Sequence, residues 1–427
     1  MHKSVVIIGG GPAGLAAAIG AYEAGVEAND IIIIEREKEL GGVLNQCVHT
    51  GFGLTYFGEE LSGGEYASRF IEKIEEYGIP YVTDATVLSV SKSKVIKFVS
   101  PQLGYTKVKA EAVVLAMGCR ERSRGTLNIA GTRPSGIFSA GSAQRFVNID
   151  GYLPGKRVVI LGSGDIGLIM ARRLTLEGAK VLRVCEVKSH VSGSARNVEQ
   201  CLNDFDIPLY LNSTVTKIVG EERVTGVVVS KVDENFKPIK GTGELVRCDT
   251  LVLSIGLIPE NELTTEAGIK LDKKTNGAVV DQYFQTSLPG VFACGNVLHV
   301  HDIVDYVTSE SINVGKACAG YVKGLLRPNK TKIPFEISEG VKYVVPQTFN
   351  FDPKKIDIIL KRFVVYFRVS KDYEKARITI TSNGEELLSL IKNNIHSSQM
   401  HSVILTKKMA QVIQKNKNAK ISVTEEA

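Results

Sequence analysis

Two stretches of this chain, "VVIIGGGPAGLAAA" from Val5 and "VVILGSGDIGLIMA" from Val158, repeat one pattern. A short apolar run leads into three glycines spaced G-x-G-x-x-G, and a helix-forming run follows. The first copy places Val5–Ile8 before Gly9, Gly11 and Gly14; the second places Val158–Leu161 before Gly162, Gly164 and Gly167. In each, a second apolar strand ends on an acid, Glu35 after "DIIII" and Glu186 after Val181–Cys185. The first glycine allows a tight turn, the second lets a pyrophosphate approach the backbone, and the third lets helix pack on strand. The helix N-terminus then faces the phosphates, and the acid can meet ribose hydroxyls. A glycine-rich structural turn is the competing reading, but it does not require flanking strands or a terminal acid. The pattern therefore predicts an α/β chain with two Rossmann-like dinucleotide-binding domains.

At 427 residues the chain has room for two or three domains. The net charge of +6 is uneven: residues 1–330 carry 36 basic and 36 acidic residues, and residues 331–427 carry 16 and 10. A mildly basic tail fits a solvated face, or docking to an acidic partner or membrane surface. No nucleic-acid partner is expected. No secretory signal is read at the N-terminus, and no run reaches the roughly 18–20 apolar residues of a membrane span. Seven cysteines are scattered singly, with no C-x-x-C pair, which predicts a reducing cytoplasm rather than a zinc or dithiol site.

Two dinucleotide sites in one chain have a simple use: one holds FAD and the other brings NAD(P)H to it. Nucleotides held as purely structural ligands are the alternative. The expected FAD contacts are Gly9, Gly11, Pro12, Ala13, Gly14, Glu35 and Arg36, with Gly42, Val43 and Asn45 from the following loop. The expected NAD contacts are Gly162, Gly164, Asp165, Ile166, Gly167 and Glu186. An acid at Glu186 favours the free 2′-hydroxyl of NAD over the 2′-phosphate of NADP, although Lys188 and His190 follow closely.

On these motifs the chain resembles the two-dinucleotide flavoprotein superfamily that includes glutathione reductase, thioredoxin reductase and NADH oxidase, over Val5–Lys323. "AVVLAMGCRER" (Ala112–Arg122), with Ala116 and Gly118, looks like the segment where the chain leaves the FAD domain. "DTLVLSIGLIPEN" (Asp249–Asn261), with Gly256, looks like its return. "TSLPGVFACGN" (Thr286–Asn296) looks like the last flavin motif, with Gly295 followed by Asn296 where an aspartate is usual. The resemblance implies an FAD-binding domain at residues 1–122 and 257–330, an inserted NAD(P)-binding domain at 123–256, and a small β-rich C-terminal domain at 331–427. The segments "GGVLNQCVHTGFGL", "GCRER", "LIPENEL" and "ACGNVLHVHDIVDYV" are similar to a narrower group. These are bacterial oxidoreductases associated with glycerol-3-phosphate dehydrogenase-type flavoproteins and a small cysteine-rich protein, related to dye-linked amino-acid and opine dehydrogenase α subunits.

That resemblance implies an NAD(P)H-dependent FAD oxidoreductase that exchanges electrons with a partner flavoprotein, a small cysteine-rich protein or a small acceptor, in an oligomer or complex. A link to glycerol-3-phosphate oxidation follows from it. A subunit of an amino-acid or opine-type dehydrogenase, and a non-enzymatic flavin-bound assembly or sensing subunit, are the rival readings. Disulfide reductases of this superfamily carry a C-x-x-x-x-C pair in the loop after the first unit. Here Gly41–Gly53 has only Cys47, which argues against dithiol chemistry. Cys47 is a candidate redox or flavin-lining residue, and His49 a candidate polar contact or proton donor. "NVLHVHDIVDYV" (Asn296–Val307) reads as the start of a helix aimed at the flavin, with His299 and His301 as candidate catalytic groups and Asp305 as a cofactor contact. Its histidine and aspartate spacing matches no standard metal motif, so no metal is expected. Beyond "RPNK" (Arg327–Lys330), "KRFVVYFRVS", "ARITITS" and "HSVILTKKMAQVI" predict a β-rich module for assembly or docking.

Overall fold

A computed structural model describes residues 1–326, 332–350 and 363–426. The Arg327–Lys330 boundary lies outside the described residues. The chain divides into two compact units, one of residues 1–45, 50–119 and 259–427, the other of residues 46–49 and 120–258.

In the first unit, the strands His2–Ile8 and Ile31–Ile34 run parallel, with Val5 beside Ile31 and Ile8 beside Ile34. The helix Pro12–Glu23 connects them. On the other side His2–Ile8 pairs with Gly104–Leu115, a twelve-residue strand with two partners of its own. Its first half forms an antiparallel hairpin with Val95–Ser100; its second half runs parallel to Val291–Ala293. Buried parallel strands need apolar residues on both faces, which explains the unbroken Ile31–Ile34 run.

The helix Val304–Val322 crosses Pro12–Glu23 at two glycines. A Cβ on Gly20 would lie 2.4 Å from the Ile312 carbonyl oxygen, and one on Gly315 would lie 2.1 Å from that of Ala17. Backbone cannot yield as a side-chain tip can. Gly315→Leu should therefore lower stability by about 3 kcal/mol or more in denaturant unfolding. Gly64→Ala, on a helix and with nothing within 4 Å of the added carbon, should leave stability unchanged or slightly raised. Equal losses at both positions would refute the close crossing.

The C-terminal residues are β-rich as expected. One sheet takes Ile333–Ile337, Thr348–Phe349, Tyr373–Ser382, Glu385–Ile395 and Ala419–Glu425; the other takes Val341–Val345, Phe363–Val369 and His401–Leu405. They do not stand apart from the first unit. Phe349, Val365 and Phe367 belong to the same apolar core as Val5, Val114 and Phe292.

The second unit holds a five-stranded parallel sheet in the order Ile137–Ser139, Thr250–Leu253, Arg157–Leu161, Lys180–Cys185, Leu209–Tyr210. A four-stranded sheet accompanies it, in which Gly226–Lys231 pairs antiparallel with Glu244–Val246. Among the described residues no helix is long and apolar enough to cross a membrane.

Candidate functional site

The first cradle forms where His2–Ile8 ends and the helix Pro12–Glu23 begins. Gly9 has φ +106°, and a Cβ there would lie 2.4 Å from the Ala116 carbonyl oxygen. A Cβ on Gly14 would lie 1.8 Å from the Gly9 carbonyl oxygen. Gly11 is different: its Cβ would meet only the Gly42 Cα, at 3.8 Å. The outer two glycines are fixed by packing, and the middle one faces open space. Gly11 offers no side-chain cap to the helix, Pro12 occupies its first turn, and no acid lies there. Bare N–H groups and an open glycine suit a pyrophosphate.

Glu35 is buried, and its carboxyl oxygens accept the N–H groups of Gly10 (2.5 Å) and Glu37 (2.7 Å). It thus braces the glycine turn. Arg36 is exposed and lies 3.9 Å from Glu37. Gly42 has φ +59° and approaches Gly11; the Asn45 amide donates to the Leu40 carbonyl at 2.9 Å; Val43 is exposed. The Ala116 N–H bonds to Ile8, and the Gly118 carbonyl accepts from Glu260. Gly295 adopts φ +71° beside Ala13, 2.7 Å from its Cβ to the one a substitution would add. The Asn296 carboxamide oxygen accepts the His301 N–H at 2.9 Å, and its nitrogen lies 3.5 Å from Cys119 Sγ. Asp305 accepts the N–H groups of Gly53 (3.1 Å), Thr55 (2.8 Å) and Tyr56 (3.2 Å), so its carboxyl clamps that loop.

The second cradle repeats the arrangement in the inserted unit. Gly162 has φ +104°, and a Cβ there would lie 2.0 Å from the Ser254 carbonyl oxygen; one on Gly167 would lie 2.5 Å from that of Gly162. A Cβ on Gly164 would meet only Ser254 Oγ, at 3.8 Å. The helix Asp165–Leu176 again has no side-chain cap. Asp165 accepts from the Ser194 N–H (2.8 Å), the Ser194 hydroxyl (3.0 Å) and Asn197 (2.6 Å), tying this helix to Ala195–Cys201. Ile166 lies on the same helix. Glu186 is buried and accepts from the Ser163 N–H (3.0 Å), the Ser163 hydroxyl, the Ser192 hydroxyl (3.3 Å) and the Lys188 N–H (3.0 Å). These serines orient the acid; their place between and after the glycines was the only signal for them. Gly256, with φ +100°, accepts the Arg122 N–H at 2.9 Å.

Cys47 and His49 belong to the inserted unit. Gln46 Nε2 lies 3.1 Å from Gln144 Oε1, Cys47 Sγ lies 4.0 Å from that same oxygen, and the Asn148 amide donates to the Gln46 carbonyl at 2.8 Å. Burial pushes the Cys47 thiol up to about 12. Burial, with the Arg172 and Arg196 charges, holds His49 below the usual imidazole range. The thiol is the protonated form below that value. Alkylation of Cys47 by iodoacetamide, followed by peptide mass spectrometry, should keep accelerating past pH 10. An ordinary thiol levels off above its pKa of about 8.5. A plateau by neutral pH would instead mark an activated thiolate.

The helix expected from Asn296 begins later. A short turn at Gly295–Val297 is followed by non-helical backbone, and the helix runs Val304–Val322 with Ile303 at its N-cap. The Asn296 side chain takes the His301 N–H and holds that backbone out of the helix. His299 and His301 are thereby turned into the interior, 1% and 7% exposed, with ring centroids 4.3 Å apart. They meet Glu310, fully buried one turn and a half into the helix: His299 Nε2 lies 2.7 Å from Oε2 and His301 Nε2 lies 3.3 Å from Oε1. The Gly295 N–H also donates to Glu310, at 2.7 Å. Burial pushes the Glu310 carboxyl up, but His301 and His299 outweigh it and hold it at about 2. Burial and the neighbouring His301 push His299 down, against the upward pull of Glu310.

The C-terminal strands complete this cluster. The Tyr366 ring lies 5.3 Å from His299 and 5.7 Å from His301. Arg368 donates to the Val300 carbonyl (3.2 Å), Asp302 (2.5 Å) and Tyr343 (3.0 Å). Asp302 also accepts the Met400 N–H at 2.5 Å. Glu310, Tyr366 and Arg368 were not foreseen from sequence, because no short-range spacing links them to the histidines.

The profile of the family described as pyridine nucleotide-disulphide oxidoreductase matches residues 3–316. A thioredoxin reductase of Listeria monocytogenes is 27% identical over 69% of this chain and 85% of its own length. An NADH oxidase of Methanocaldococcus jannaschii is 28% identical over 71% of this chain and 64% of its own. The crystal structure of a T. acidophilum thioredoxin reductase aligns with a TM-score of 0.61 at 25% identity, over 76% of this chain and 99% of that one.

Proposed function

Because this chain belongs to the pyridine nucleotide-disulphide oxidoreductase family, we propose that it is an NADH-dependent FAD oxidoreductase passing electrons to a partner protein or small acceptor. The observation that carries this reading is the pair of cradles, each with packed outer glycines, an open middle glycine and an uncapped helix start. The first, with Glu35, Gly42 and Gly295 around it, suits FAD; the second suits the nicotinamide nucleotide. Bound FAD supplies two-electron chemistry and can release electrons singly or in pairs. The chain's own residues bind and orient: the glycine turns admit the phosphates, Glu35 and Glu186 brace the turns, and the burial of Cys47 keeps its thiol protonated.

NAD is preferred over NADP, because a buried carboxyl at Glu186 opposes a 2′-phosphate. Electron relay through a cysteine pair is not part of the proposal. Relatives named thioredoxin reductase share the fold, but Cys47 has no second cysteine in Gly41–Gly53. The association with glycerol-3-phosphate oxidation rests on the resemblance of the 41–54, 118–122, 162–181, 257–263 and 293–307 segments alone. A cytoplasmic location and assembly with a partner flavoprotein or cysteine-rich protein are part of the same reading.

Anaerobic stopped-flow mixing of the FAD-bound protein with NADH tests it. Rapid bleaching of the oxidised-flavin band, faster with NADH than with NADPH, is expected. A flavin that stays oxidised for minutes with both nucleotides would end the proposal. Cys47→Ser should bleach at close to the parent rate.

A further inference from the structure

We propose that His299, His301 and Glu310 form a binding site for one divalent transition-metal ion. One ring nitrogen of each imidazole and a Glu310 carboxylate oxygen lie within 4.8 Å of one another, and all three side chains are buried. Two imidazoles and one carboxylate are the donor set that zinc and non-haem iron(II) sites use, with further positions for other ligands.

The second observation is His301 itself. Its side chain is fully buried, yet among the described residues neither ring nitrogen has a hydrogen-bond partner. Its Nε2 points at the carboxylate from 3.3 Å without the alignment of a hydrogen bond. Burying an imidazole whose one nearby acceptor is out of line costs free energy that a protein rarely leaves unreturned. A cation shared by Nε2 and the carboxylate removes the mismatch, because a lone pair then meets a metal in place of an off-line acceptor.

The surroundings hold these donors in place. The Gly295 N–H fixes the Glu310 carboxylate. Arg368 grips the Val300 carbonyl and Asp302, the residues on either side of His301. Tyr366 closes over both rings. The backbone between Asn296 and Ile303 leaves the helical path to make this possible. The inference goes beyond the electron-transfer reading and does not depend on it.

Elemental analysis of the full-length, FAD-loaded protein, purified without a metal-affinity tag, tests the site. After dialysis against zinc(II), one ion per chain should remain. Loading cobalt(II) should produce visible d–d bands of an ordered nitrogen and oxygen environment. His301→Ala and Glu310→Gln should lose the ion and the bands while FAD content and near-ultraviolet circular dichroism persist. Arg368→Met, which touches no ligand directly, should weaken zinc binding about 10- to 100-fold. Substoichiometric zinc and cobalt in the parent protein would overturn the proposal. Equal metal in the parent and in a folded His301→Ala variant would overturn it too, as adventitious binding. If neither ligand variant folds, the cobalt spectrum of the parent decides alone, its absence counting against the site.

Discussion

Gly11→Val should yield a folded protein that purifies without FAD, whereas Gly14→Val should not fold at all. The motif expects Gly11 to admit the pyrophosphate and Gly14 to pack helix on strand, and the structure supplies the distances behind that difference. A Cβ at Gly14 would sit 1.8 Å from the Gly9 carbonyl oxygen, a collision of backbone with backbone where helix meets strand. A Cβ at Gly11 has the Gly42 Cα at 3.8 Å as its only neighbour. Gly11 already has φ −76° and ψ −174°, an extended conformation that valine adopts readily. The valine methyls then occupy the space through which a phosphate would approach the helix start. Overpacking there should weaken FAD binding about a hundredfold, ~2.7 kcal/mol. FAD content by absorbance, together with circular dichroism of the apo-protein, reads both outcomes. A yellow, fully loaded Gly11→Val variant would show that the pyrophosphate does not lie at this glycine.

The second large effect is at the matching glycine of the inserted unit. Gly164→Val should keep its FAD, remain reducible by dithionite, and lose reduction by NADH at ordinary concentrations. Its added Cβ would meet only Ser254 Oγ, at 3.8 Å, so the fold tolerates it. The helix N-terminus it covers is where the nicotinamide nucleotide's phosphates are expected. The NADH concentration giving half-maximal reduction should rise about a hundredfold. An unchanged NADH dependence would remove the second cradle from the reaction and favour a structural role. Gly167→Val is the control: its Cβ would lie 2.5 Å from the Gly162 carbonyl oxygen, so it should damage folding instead.

These two experiments test the separate roles that one motif assigns to its glycines. G-x-G-x-x-G gives each glycine its expected role, and the surrounding atoms show how little room each one leaves for a side chain. Glu35 and Glu186 make the same point. As strand-ending acids they were legible, but their hydrogen bonds to Gly10, Glu37, Ser163 and Ser192 were not. Asp305 was legible as a helix-start acid, yet its partners are the N–H groups of the Gly53–Tyr56 loop, some 250 residues earlier. Cys47 stood out as a lone thiol in a flavin-type loop; its burial and its neighbour Gln144 depend on chain folded from a different part of the sequence.

By itself the sequence determined the α/β class, the two cradles and the β-rich character of the C-terminal residues. Those properties are local: glycine spacing, apolar periodicity and β-branched runs act within about 30 residues, the length of one strand–helix–strand unit. Only the tertiary structure decided that His299 and His301 leave the helical path and meet Glu310 inside the protein. It also decided that one strand more than 60 residues away brings Tyr366 over their rings and Arg368 to the backbone and Asp302 beside them. Those contacts depend on the packing of the C-terminal sheets into the core of the first unit, where distance in space no longer follows distance along the chain.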